Sequence, residues 1–123
     1  MTKTALEIVQ TFQQSMGSGT SEWESLFADD VKFKGPVDKV AGREANIELN
    51  KGFSKLLKGY KALTSFEQGN LVALEGVFSL SAPSGKIVEL EMAEVYEIKA
   101  DKIQNIRVYY DAEEFRKEFG LNK

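Results

Sequence analysis

The hydrophobic period of this 123-residue chain changes near residue 60, from helical to two. That change limits the fold to helices followed by a sheet. Before it, Ala5, Ile8, Val9, Phe12 and Met16 fall at i, i+3, i+4, i+7 and i+11, one stripe of a helix. Thr4 and Glu7 have capping-box spacing at its start, and Gly17-Ser18-Gly19 ends it. Ser21 with Glu24 restarts a short helix that faces inward through Trp23, Leu26 and Phe27. The glycines between these helices lack the strand-to-helix context of a phosphate loop and read as a turn. Val31 to Gly35 reads as a short strand and Pro36 to Lys39 as a loop. Arg43 to Lys58 reads as a third helix, with Leu49, Phe53, Leu56 and Leu57 inward and Gly59 as the stop. Gly52 inside it costs about 1 kcal/mol against alanine, so packing there is expected to compensate. Lys51, Lys55, Lys58 and Lys61 gather on one flank. They read as a solvated face favoured by the helix C-terminal dipole, with an anion patch as the sharper alternative.

Past residue 60, strands are expected at 61–68, 71–81, 86–99 and 103–110. Gly69-Asn70, Pro83-Ser84-Gly85 and Ala100-Asp101 supply the turns, and connections this short pair neighbours antiparallel. Asp111 and Glu114 are placed to cap a last helix, Ala112 to Phe119, ended by Gly120. Residues 1–123 therefore read as one α+β domain: three N-terminal helices on an antiparallel meander, then a short C-terminal helix.

Composition narrows the chemistry. The chain has no histidine and no cysteine. Disulfides, thiolate nucleophiles, Ser-His-Asp catalysis and His- or Cys-ligated metals are excluded. Proton transfer would have to use a carboxylate, lysine or tyrosine with a shifted pKa. A net charge of −3 and a pI near 5.1 argue against nucleic acid. No apolar run approaches the ~18 residues of a membrane span. Glu7 follows too soon after Met1-Thr2-Lys3 for a signal peptide, so a cytoplasmic protein is expected.

Strand 86–99 carries the most informative residue. One face reads Val88, Leu90, Met92, Glu94, Tyr96 and Ile98, and Glu94 is its only charge. Burying an unpaired carboxylate costs several kcal/mol, so Glu94 must protonate, pair or face a wet cavity. Three readings follow. Glu94 turns outward at a bulge or pairs with Arg43 or a lysine; it binds a polar group of a ligand; or it is catalytic, since desolvation raises a carboxyl toward neutrality.

Leu26-Phe27-Ala28-Asp29-Asp30-Val31, Gly42-Arg43-Glu44, Ser84-Gly85-Lys86 and Lys102-Ile103 through Val108-Tyr109-Tyr110-Asp111 together resemble the SnoaL-like branch of the NTF2-like superfamily. The resemblance spans essentially the whole chain. It implies a cystatin-like cone, a curved antiparallel sheet around three helices with a pocket at its wide end. Members include ketosteroid isomerases, polyketide cyclases, limonene-epoxide hydrolases, dehydratases and non-catalytic binding modules. The tail Tyr109 to Phe115 resembles the epoxide-hydrolase end of the family. Positions that carry the family's base, relay and water-holding groups correspond here to Gly35, Gly76, Phe78, Val108 and Phe33. Of the isomerases' catalytic residues, the resemblance leaves a counterpart only for the second oxyanion donor, Glu94. The family's terminal aspartate corresponds to Asp111, whose expected role is the helix cap.

The resemblance also implies a pocket lined by Phe12, Trp23, Phe33, Phe53, Leu57, Phe78, Met92 and Val108, with Glu94, Tyr96 and Tyr110 as candidate catalytic residues. A mostly apolar cavity with one polar group suits a small apolar or aromatic molecule. The first expectation is a binding domain for such a molecule. The alternatives are an isomerase, cyclase, dehydratase or epoxide-hydrolase-like enzyme using Glu94, and a non-catalytic association module filled by its own side chains. No cofactor and no metal are expected. A homodimer is expected through the outer sheet face, at Ala93, Val95, Ile103, Arg107 and Tyr109.

Overall fold

Helix α1 (Ala5–Gly17) starts where its sequence says it should. The structure, a computed structural model, describes residues 4–120. The Thr4 hydroxyl accepts the Glu7 amide at 3.1 Å, and the Glu7 carboxylate accepts the Thr4 amide at 2.8 Å, closing the capping box. Ile8, Val9, Phe12 and Ser15 form the buried face. Ser15 Oγ accepts the Trp23 amide at 3.0 Å and ties α1 to the segment that follows. That segment is a single 3-10 turn, Glu22–Leu26, instead of a second N-terminal helix. Phe27 already belongs to strand β1 (Phe27–Lys34), and β2 (Lys39–Ala41) takes up part of the expected loop.

Helix α2 (Arg43–Leu56) ends before Leu57, which opens strand β3 (Leu57–Gln68). Its buried face is Asn46 and Ile47, whereas Leu49 is only half-buried. Asn46 Nδ2 donates to Gly42 O at 2.8 Å and to Val31 O at 3.2 Å, joining the helix to β1. A side chain at Gly52 would meet nothing within 4 Å, so no packing contact compensates its helix cost.

Strands β4 (Leu71–Ser81), β5 (Ile87–Lys99) and β6 (Lys102–Tyr109) complete a curved six-stranded sheet of order β2-β1-β6-β5-β4-β3. The sheet is mixed: β1 runs parallel to β6 and every other pair is antiparallel. Short turns settle the direction of consecutive strands only, and β1 and β6 are separated by most of the chain. A register shift after Glu97 inserts an extra residue in β6, which turns Ile103 into the core. Ile103 is 0% exposed and so cannot belong to the outer face. Helix α3 (Glu113–Glu118) closes the described residues. Asp111 Oδ1 accepts the Glu113 amide at 3.0 Å, with Ala112 in the cap position. Glu114 serves α3 differently than expected, pairing with Lys86 at 3.0 Å. Among the described residues there are thus two long helices, α1 and α2, and the third helix follows the sheet. No helix among the described residues is long and apolar enough to cross a membrane.

Candidate functional site

Glu94 lies at the middle of the concave face. The β4–β5 register runs unbroken through Leu74↔Glu94, and Val108 lies opposite on β6. No bulge turns the side chain outward. Arg43 is engaged elsewhere, 3.6 Å from Asp29 and donating to Glu24 O. Among the described residues no cation forms an ion pair with Glu94. Its hydrogen-bond partner is Tyr96, whose hydroxyl donates to Glu94 Oε2 at 3.2 Å. Burial pushes the carboxyl up to about 7, against a smaller downward pull from the Tyr96 bond. The residue keeps partial solvent contact. A carboxyl held this way exchanges between donor and acceptor close to neutral pH, without any histidine.

A second phenol reaches the same place. Tyr60 pairs with Phe78 across β3 and β4, their ring centroids 4.6 Å apart. Its ring then crosses β4 over Gly76, where a Cβ would stand 2.6 Å from the Tyr60 hydroxyl. The missing side chain of Gly76 is the space that Tyr60 fills. Partial burial raises the Tyr60 phenol, with the charge of Glu94 adding to it and the Gln13 side chain pulling the other way. Tyr96 is raised well above the usual phenol value by burial first and by Glu94 second. Sequence reasoning passed over Tyr60 and Gln13. The available signal was Gly76 itself, since a glycine inside an apolar strand marks close approach by a neighbour.

The remaining candidates fall into separate groups. Phe12 and Trp23 are core residues at the α1 side, and Phe12 lies 6.1 Å from the Tyr96 ring. Phe53 packs on Phe78 at 5.5 Å, and Leu57, at the start of β3, lies opposite Leu80. Met92 lies opposite Gly76, two residues from Glu94. Phe33 lies beside Val108, both within 4 Å of the place a Gly35 side chain would take. Tyr110 packs instead on Phe115 at 6.0 Å, and its electrostatic neighbours are Asp38 and Arg116. Of the two tyrosines expected to assist, Tyr96 is the one bonded to Glu94.

Leu74, Met92, Tyr96 and Val108, in register with or next to the carboxyl on its face, are all buried. Two clefts lie elsewhere. One of about 280 Å³ is bordered by Phe27, Asp29, Arg43 and Lys102. The other, of about 380 Å³, follows the β2-β1-β6 edge. Among the described residues no group of three or more acidic side chains could hold a metal ion.

Comparison with known proteins gives a consistent picture. The SnoaL-like domain model matches residues 9–106. An NTF2-like protein from Burkholderia xenovorans LB400 superposes with a TM-score of 0.84 at 20% identity, covering 97% of this chain and 98% of that one. A provisional SnoaL-like polyketide cyclase from Mesorhizobium loti gives 0.72 at 22% identity, over 88% and 100% of the two chains. TerC, crystallised with polyporic acid, gives 0.79 at 16% identity, over 94% and 98%. At such identities these structures share the fold. No curated protein sequence matches the chain.

Proposed function

The chain belongs to the SnoaL-like domain family of NTF2-like proteins, and from that premise we propose that it binds a small, mostly apolar or aromatic molecule through one hydroxyl or carbonyl group held by Glu94. The observation that carries this reading is Glu94 itself: inward, without an ion pair among the described residues, and hydrogen-bonded by Tyr96. The remaining surroundings of the carboxyl are apolar or aromatic, a lining that rewards an apolar ligand carrying one polar group. TerC with polyporic acid offers a starting compound. Tyr60, 38% exposed and set over Gly76, is the side chain that must yield to admit such a ligand.

Thermal shift and calorimetry with polyporic acid and a panel of simple phenols and ketones test the reading. At least one compound should saturate, and Glu94→Gln should weaken it while keeping the fold. Equal binding by Glu94→Gln removes the anchor. No binding across the panel, together with a refined structure closed around Glu94, favours the self-filled association module.

A second reading is catalytic, an isomerase- or cyclase-type proton transfer with Glu94 as acid/base and Tyr96 as its hydrogen-bond donor. The carboxyl near 7 favours it. Turnover would follow the Glu94 titration, and activity unchanged in Glu94→Ala would exclude it.

The partner reading is a homodimer through the convex face. Phe66 (59% exposed) and Tyr109 (54%) stand there, with Ala73 and Val95 in register with Phe66. Phe66→Glu should convert a dimer to a monomer in sedimentation if this face is the interface.

A further inference from the structure

We propose that the β2-β1-β6 edge of the convex face binds a small molecule carrying two linked phosphate groups. Lys34 lies directly opposite Lys39 on β2 and directly beside Arg107 on β6, three cations in one row on one face. Lys32 lies one pleat along, between Ala41 and Asn105. Like charges directly opposite one another destabilise a strand pair, and this row contains two such pairs in a chain of net charge −3.

The acidic residues do not relieve the repulsion. Among the described residues no carboxylate lies within ion-pair distance of Lys32, Lys34, Lys39 or Arg107. The neighbouring carboxylates are turned to neutral amides instead: Glu97 accepts Asn105 Nδ2 at 2.9 Å and Asp30 accepts Gln104 Nε2 at 2.8 Å. Lys32 is only a minor influence on Asp30, behind that Gln104 bond. Lys86, just before β5, by contrast has two carboxylates, Glu114 and Glu118, within 3.5 Å.

The same cations line the cleft of about 380 Å³, within the roughly 300–1,000 Å³ usual for small-molecule sites. Adjacent strands are ~4.8 Å apart, so the row spreads positive charge over about 10 Å. That span exceeds one phosphate and suits two. Arg107 offers a planar fork to one phosphate, and the lysines act as point charges on the other. Ala41, in register with Lys32, borders the same cleft and offers a small apolar surface to an organic substituent. The site faces away from Glu94 and does not depend on what the interior binds; it lies at the β2 side of the convex face and shares Arg107 with the expected dimer surface.

Lysines at a sheet edge also discourage edge-to-edge association. That role alone produces weak, unselective anion attraction, which the experiment separates. The intact chain is titrated calorimetrically with inorganic pyrophosphate, with ADP and with sulfate at one ionic strength, and amide shifts are followed by NMR. Saturable binding of pyrophosphate and ADP is expected, each tighter than sulfate, with shifts confined to residues 32–41 and 105–107. The double variant Lys34→Gln, Arg107→Gln should lose about tenfold or more, as expected when charge-assisted bonds are removed. The control Lys51→Gln, Lys55→Gln on α2 should bind as wild type. Absence of saturable binding, no preference over sulfate, or equal loss in both double variants overturns the proposal. Circular dichroism of these surface variants verifies that each keeps its fold.

Discussion

The Tyr60 ring occupies the place that any side chain at Gly76 would need, with its hydroxyl 2.6 Å and its Cζ 2.7 Å from where a Cβ would be. One glycine on β4 therefore decides whether a phenol from the edge strand β3 can lie inward, toward Glu94. Tyr60 and Gly76 are apart in sequence but adjacent in the sheet, since Ala62 pairs with Gly76 and Tyr60 with Phe78.

Gly76→Ala should push Tyr60 outward. Overpacking of this kind costs roughly 1–3 kcal/mol, to be read from urea unfolding. Tyr60→Ala in the same background should recover part of the loss, because the clash disappears with the ring. A Gly76→Ala protein as stable as wild type would mean that the ring swings away freely.

Stability should fall as pH rises from about 4.5 to about 7. Glu94 has a folded pKa near 7 against an ordinary value of 4.5. In that window the unfolded chain has lost its proton and the folded chain still holds it, so folding binds protons and loses stability as they become scarce. The upper bound is roughly 3 kcal/mol by linkage, reduced by the partial solvent contact of the residue. Glu94→Gln should flatten this part of the profile and raise stability above pH 7. Thermal melts between pH 4 and 8 on both proteins make the comparison.

Tyr96→Phe should raise the Glu94 pKa further. The lost bond favours the charged carboxylate, and removing it leaves desolvation unopposed. A carbon-detected NMR titration of the glutamate carboxyls reads the shift directly. A downward shift would show that water enters the space and solvates Glu94.

Gly52→Ala should stabilise the protein by about 0.5–1 kcal/mol, from helix propensity and a less flexible unfolded chain. The site has open space around the missing Cβ, so no contact opposes the gain. Denaturant midpoints at unchanged slope give the measure.

Local patterns made much of this legible. The stripe from Ala5 to Met16, the Thr4–Glu7 cap and the alternation of 86–99 all became what their spacing implied. The inward aspect of Glu94 followed from the same alternation, because a strand with an unbroken register keeps its period. Boundaries were less legible where two structures compete for one residue. Leu57 continues a helical stripe but also begins a strand opposite Leu80, and the sheet wins. Ile103 reads as outer by parity until a bulge adds one residue, and one residue inverts a face.

By itself the sequence determined the class of the fold and the one charge on the inner face of β5, because both depend on periodicity within a single segment. Tertiary structure alone decided the parallel pairing of β1 with β6, the seat of Tyr60 over Gly76, and the row Lys39, Lys34 and Arg107. Each of these joins segments that are distant in the chain. Their contacts depend on strand order and register, which no local spacing encodes, and a cation's neighbours across a sheet are fixed only when the strands pair.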